Sequence, residues 1–216
     1  LTPTKRKELV LAAEKTYEKE AKLSGVIMEL DWAKSTFRLH LTGGGQCTVP
    51  MPDAARETVR EFVGRERHQV VLKGVAAYDS WDRLKSVITV DSLEVIKNHA
   101  ISSRLDEIAQ LKDGWFDGGG FALDTECLAQ IADYLADYPD DVPLPLIVPT
   151  QGGNLLLEWQ VKGVPSLDID LANMQASFHA FDETDKDVER DFDLKGEDDW
   201  RLLFQFLGEY VKGESA

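Results

Sequence analysis

The sequence predicts an α+β protein, and three observations carry that expectation. Apolar residues recur with a period of two through most of residues 24–97, interrupted by one helical segment. Beyond residue 98, helical periods bracket a second set of alternating segments. The charge also divides: residues 1–100 hold 16 Lys and Arg against 14 Asp and Glu, whereas residues 101–216 hold 8 against 25. The net charge of −15 is therefore concentrated in the second half, which argues for two domains with different surfaces. The expected parts are an N-terminal helix or arm (1–23), a five-stranded OB-like or other small β-barrel with one helix (24–97), and an acidic domain (98–216) whose antiparallel sheet is covered by helices.

In chain order, Leu9, Val10, Ala13, Tyr17 and Ala21 form a helical stripe over residues 3–22, with Lys and Glu on the other faces. From Ser24, Val26, Met28, Leu30 and Trp32 alternate with Ile27, Glu29 and Asp31, which predicts a strand. Phe37, Leu39 and Leu41 alternate with Arg38 and His40 in a second, and Gly43-Gly44-Gly45 turns the chain into a third over 46–49. Pro52-Asp53 opens a helix with Ala55, Val59, Phe62 and Val63 on one face. Residues 69–78 and 84–96 supply strands four and five. This β-β-β-α-β-β order is that of an OB-type barrel.

In the second half, residues 101–112 predict a helix carrying Leu105, Ile108 and Ala109. Asp124 caps another with Leu128, Ile131, Ala132 and Leu135. Between them Gly114-Trp115-Phe116-Asp117-Gly118-Gly119-Gly120 reads as a tight turn with Trp115 in the core. No Lys or Arg lies between Asp113 and Gln160, and Asp113 and Asp117 flank the glycines, so a phosphate would be repelled. Strands follow from Leu146, over 155–160, 167–171, 176–181 and 191–194. A last helix begins at Glu197-Asp198-Asp199 and buries Trp200, Leu203, Phe204, Leu207 and Tyr210.

One pattern runs through this half: L-x-x-G-W-x-x-G, then a helix, then P-T-x-x-G-x-x-x-x-E-W. It consists of Leu111, Gly114, Trp115, Gly118, Pro149, Thr150, Gly153, Glu158 and Trp159. It resembles a group of uncharacterised small bacterial proteins associated with mobile elements and toxin–antitoxin neighbourhoods. The resemblance covers about a quarter of the chain and attaches no activity to those positions. What it implies is an antitoxin- or immunity-like role.

Composition narrows the function further. No apolar run approaches the roughly 18 residues a membrane span requires, and no signal-peptide pattern opens the chain. A cytoplasmic protein is expected, with room for an upstream segment before Leu1. Cys47 and Cys127 lie far apart without metal-ligand spacing, which reads as reduced thiols. His40, His68, His99 and His179 form no metal motif, and no serine has nucleophile-elbow context. No cofactor is expected, and no catalytic signature is present.

Two sets of residues remain as candidates. If Leu157 and Trp159 share a face with Leu167 and Ile169, then Glu158 sits opposite Asp168 with Asp170 two residues along. Such a carboxylate set could serve a metal-dependent hydrolase, or be a solvated sheet face that docks a basic partner. With the charge-rich 182–199 segment, Asp191 and Asp193 included, it forms the expected binding surface for a basic protein such as a toxin. Phe181 and Phe192 are its candidate apolar anchors. A high-salt host would select the same acidity with no partner. The second set is Arg38 and His40, the nucleic-acid-facing positions of an OB-like sheet, with Trp81 as a stacking candidate. The expected function is a non-enzymatic protein-interaction module, with OB-like nucleic-acid binding and metal-dependent hydrolysis as alternatives.

Overall fold

A computed structural model describes residues 5, 16–181 and 186–213. The fold is mixed α+β, with two five-stranded antiparallel sheets and, among the described residues, four α-helices. The chain divides into two compact units, Leu1–Lys97 and Asn98–Ala216.

The first unit holds β1 (Thr16–Asp31), β2 (Thr36–Leu41), β3 (Gln46–Pro50), a 3₁₀ turn at Asp53–Ala55, α1 (Arg56–Phe62), β4 (Gln69–Asp79) and β5 (Leu84–Ile96). Their order in the sheet is β3-β2-β1-β4-β5. The long β1 serves both halves, pairing with β4 from Thr16 to Gly25 and with β2 from Gly25 to Asp31. Glycine is required at that changeover. A Cβ on Gly25 would lie 2.0 Å from the His40 carbonyl oxygen, and one on Gly74 would lie 2.1 Å from that of Thr89. Ile27, Phe37, Leu39, Val49, Val59 and Leu72 fill the core. The edge strands β3 and β5 approach each other, but no ladder joins them among the described residues. The sheet is thus open in its hydrogen bonding, short of the closed barrel that the sequence suggests.

Two local expectations are corrected here. Residues 16–22 of the expected N-terminal helix are strand, because each pairs with a residue of β4, from Thr16 with Asp79 to Lys22 with Lys73. Cross-strand pairing overrides the helix-forming Lys and Glu residues. The rest of that helix, apart from Lys5, lies outside the described residues. In β1 the alternation predicted from Val26 through Trp32 breaks at Met28, where the register with β2 shifts between Ile27 and Glu29. Ile27 is buried, while Val26 and Met28 are only half-buried. A bulge adds a residue to one strand and reverses the faces beyond it.

The second unit holds α2 (His99–Ile108), α3 (Thr125–Leu135), β6 (Leu146–Pro149), β7 (Leu155–Glu158), β8 (Ser166–Asp170), β9 (Gln175–Phe181), β10 (Asp187–Asp193) and α4 (Glu197–Gly213). The sheet is a meander in the order β10-β9-β8-β7-β6. Leu155, Leu157, Leu167, Ile169, Ala176 and Phe178 turn one face inward, where Leu105 of α2, Ile131 of α3 and Leu203 of α4 join them in a single core. Asp124 starts α3 by accepting from the amides of Glu126 and Cys127, both at 2.9 Å. Asn98 closes the far end, its side-chain amide donating to the carbonyls of Ala136 at 3.0 Å and Tyr138 at 2.9 Å.

Trp159 and Trp200 are buried in this core as expected, but Trp115 is only half-buried. Its indole N–H donates to the Phe121 carbonyl at 3.1 Å, and its ring lies across Gly120, where a Cβ would come within 2.8 Å. Positive φ at Gly114, Asp117, Gly118 and Gly120 folds the loop around that ring. Among the described residues, no helix is long and apolar enough to cross a membrane.

Candidate functional site

Because side chains alternate along a strand, the five strands that bury Leu157 and Phe178 present a second set of residues outward. Ladder pairing aligns them in rows. One row runs Asp191, Ser177, Asp168, Leu156, Val148 from β10 to β6. The next runs Glu189, His179, Ser166, Glu158, Leu146. Asp193, Gln175 and Asp170 form a third over three strands. Asp187 stands opposite Phe181. The predicted partner-binding residues Glu158, Asp168, Asp170, Asp191 and Asp193 therefore share one face. Among the described residues of β8–β10, that face carries one basic side chain, His179.

Within it the carboxylates differ. Asp168 is exposed and has no polar partner among the described residues. Asp191 accepts from the Ser177 hydroxyl at 2.7 Å, and Glu189 lies 3.6 Å from His179. The Gln175 amide, donating at 3.2 Å, holds the Asp193 carboxyl below its ordinary range, assisted by Lys195 at 3.2 Å. Asp170 is half-buried in the β8–β9 turn. The Asn173 side chain and the amides of Asn173 and Ala172 donate to it, and they lower its pKa. A shallow groove of about 280 Å³ follows β9 and β10 and is lined by Gln175, Ser177, Asp191 and Asp193.

The expected juxtaposition of Glu158 and Asp168 is corrected. Asp168 stands opposite Leu156, and Glu158 stands opposite Ser166. The Val161–Pro165 turn, with Val164 at φ 44° and the Trp159 amide donating to the Pro165 carbonyl, sets the ladder two residues from the expected register. A shift of two keeps each side chain on its face but separates the two carboxylates along the sheet. Among the described residues, no group of three or more His, Cys, Asp or Glu is placed to hold a metal ion. Among the described residues, Glu158 and Asp168 are thus not brought together as the metal-dependent hydrolase reading expects. Of the candidate apolar anchors, Phe181 is exposed, whereas Phe192 is buried against Phe206. Residues 182–185 of the expected acidic segment lie outside the described residues.

Sequence reasoning placed Asp187 and Glu189 in the acidic 182–199 segment but not on the sheet, because it began the last strand only at Asp191. The signal was present: in D-V-E-R-D-F-D the acids at 187, 189, 191 and 193 alternate with Val188, Arg190 and Phe192.

In the N-terminal unit, Arg38 and His40 sit on β2 with their side chains engaged. Arg38 lies 3.4 Å from Glu29, and the His40 ring is 3.1 Å from the Gln46 side-chain oxygen. A groove of about 410 Å³ beside Arg38 is lined by Glu29, Asp31, Trp32, Lys34 and Thr48, so both signs of charge line it. Trp32, in the β1–β2 turn, is 51 % exposed. Trp81 is also exposed, under the Arg83 guanidinium at 4.8 Å. Cys47 is buried, and burial pushes its thiol pKa up. Cys127 is half-buried, and its thiol is raised by burial and then by Asp124.

Fold and site together define a two-unit α+β protein whose C-terminal sheet is packed by helices on one face and acidic on the other. No family model, curated protein or solved structure matches this chain.

Proposed function

We propose that the chain is a non-enzymatic interaction protein, antitoxin- or immunity-like, whose acidic C-terminal sheet face binds a basic protein. The observation that carries this reading is the alignment of Glu158, Asp168, Asp187, Glu189, Asp191 and Asp193 on one face, where the described residues of β8–β10 offer a single histidine in return. Such a field repels itself, and a cationic surface relieves the repulsion and accelerates encounter. Exposed Phe181 and Leu146 supply apolar contacts at opposite ends of the face. The resemblance of the Leu111-to-Trp159 pattern to proteins of toxin–antitoxin neighbourhoods supports the same role.

The test is association of the full chain with the protein encoded in the neighbouring reading frame, followed across a salt series. The on-rate falls steeply as salt rises, and Asp168→Asn combined with Asp191→Asn slows association while changing dissociation little. An on-rate indifferent to salt ends this reading.

A second reading rests on the N-terminal unit. Its strand order, with α1 between β3 and β4 and with β3 and β5 drawn together, supports an OB-like reading of this open sheet. Trp32 beside Arg38 offers a stacking surface for a single-stranded nucleic acid. Low-salt gel shifts of the full chain with single-stranded DNA test it, and Trp32→Ala abolishes the shift.

A further inference from the structure

The two edges of the C-terminal sheet are built differently. At the β6 edge the Arg104 guanidinium donates to the Ile147 carbonyl at 3.0 Å, Pro149 lies in the strand, and Pro143 and Pro145 precede it. These are devices that stop another strand from pairing.

Among the described residues, the β10 edge has neither a strand proline nor a side chain donating to its outward carbonyls. It runs for seven residues without proline. The Leu194 amide donates to the Met174 carbonyl, which fixes the phase of the ladder. Val188, Arg190 and Phe192 therefore turn their backbone groups toward β9, and Asp187, Glu189, Asp191 and Asp193 turn theirs outward. The amide of Phe181, opposite Asp187, points to Gly163 on the other side, in keeping with that phase. No described residue hydrogen-bonds to the outward backbone groups. The residues with open backbone groups are thus also those with carboxylates on the acidic face.

We infer that the β10 edge accepts an extended segment of a cationic protein as an added antiparallel strand. Lys or Arg at every second position would stand opposite Asp187, Glu189, Asp191 and Asp193. The inference rests on the acidic-face reading and adds its mode: backbone pairing supplies affinity and alternate side chains supply selectivity. A second copy of this chain is a poor occupant, because two β10 edges would set carboxylate against carboxylate.

The probe is a short fluorescent peptide of alternating Lys and Val, measured by anisotropy against the full chain at low salt. In the antiparallel register the Lys amides face β10 and the Val amides face away. N-methylation at the Val nitrogens therefore leaves affinity near that of the parent, whereas N-methylation at the Lys nitrogens weakens it at least about tenfold at the same charge. In the protein, Glu189→Pro removes one outward N–H without touching the β9 ladder and weakens binding far more than Glu189→Gln. Equal binding of all three peptides overturns strand addition and leaves the charge reading standing. If none of them binds, both fall.

Discussion

Asp170 accepts three hydrogen bonds within its own turn, two of them from Asn173, through its amide at 3.1 Å and its side chain at 2.8 Å. This carboxylate closes the β8–β9 connection, whereas Asp168, two residues earlier on the same face, closes nothing. The two therefore answer differently to substitution. Asp170→Ala loses about 1–2 kcal/mol of unfolding free energy, the scale of a charge-assisted hydrogen-bond set in a partly exposed turn. Asp168→Asn stays within about 0.5 kcal/mol of wild type. Urea denaturation of both variants checks the contrast, and equal losses would refute it.

Gly25 and Gly74 are expected to be intolerant of even one carbon. Alanine at either forces backbone against backbone, since the contacting atoms are the carbonyl oxygens of His40 and Thr89, which cannot swing aside. Each substitution costs roughly 1–3 kcal/mol or more, the range of overpacked sites. Gly43→Ala is the control. Nothing lies within 4 Å of a Cβ there, and its φ is not in the left-handed range, so its thermal midpoint stays near wild type.

Much of this architecture is legible in the sequence, and the losses have identifiable causes. Leu155, Leu157, Leu167 and Ile169 alternate with other residues, so the buried and acidic faces follow from the alternation alone. Facing parity depends only on a period of two. Register depends on the Val161–Pro165 turn, whose left-handed residues include Val164, a β-branched side chain that gives no hint of such a turn. The bulge at Met28 leaves no mark either, since Val, Ile and Met suit both faces. Trp115 reads as core because it is large and flanked by glycines, yet those glycines wrap the ring at the surface.

Asp79 contributes to the acid stability of the N-terminal unit, alongside Asp31 and Asp82, whose carboxyls are also held below their ordinary range. Burial opposes its charge. The amides of Arg83 and Trp81 and the Arg83 guanidinium outweigh that, and they bring its pKa down from 3.8 to about 2. A pKa depressed by folding gives stability that is fully present above the unfolded value near 3.8 and is lost as pH falls through about 2. Asp79→Asn therefore lowers stability at pH 7 and flattens the loss between about pH 4 and pH 2. Denaturant midpoints across that window give the comparison. Parallel curves for the two proteins would show that Asp79 does not titrate in this way.

The buried Trp159 ties the α3–β6 connection to the end of β7. Its indole N–H is shared between the Tyr138 hydroxyl and the Pro143 carbonyl, both at 3.0 Å, while Tyr138 donates to the same carbonyl at 2.8 Å. Tyr138→Phe removes one donor but leaves Trp159 bonded to Pro143, so it costs about 1 kcal/mol. Trp159→Phe loses the N–H and opens a void in the core, which costs about 2–4 kcal/mol. In the double variant the Pro143 carbonyl loses both of these donors. A buried acceptor left unpaired costs more than the sum of two partial losses, so the pair couples by about 0.5–1.5 kcal/mol. A double-mutant cycle by equilibrium unfolding measures that coupling. Strict additivity would mean that another donor reaches the carbonyl and that the three groups do not act as a unit.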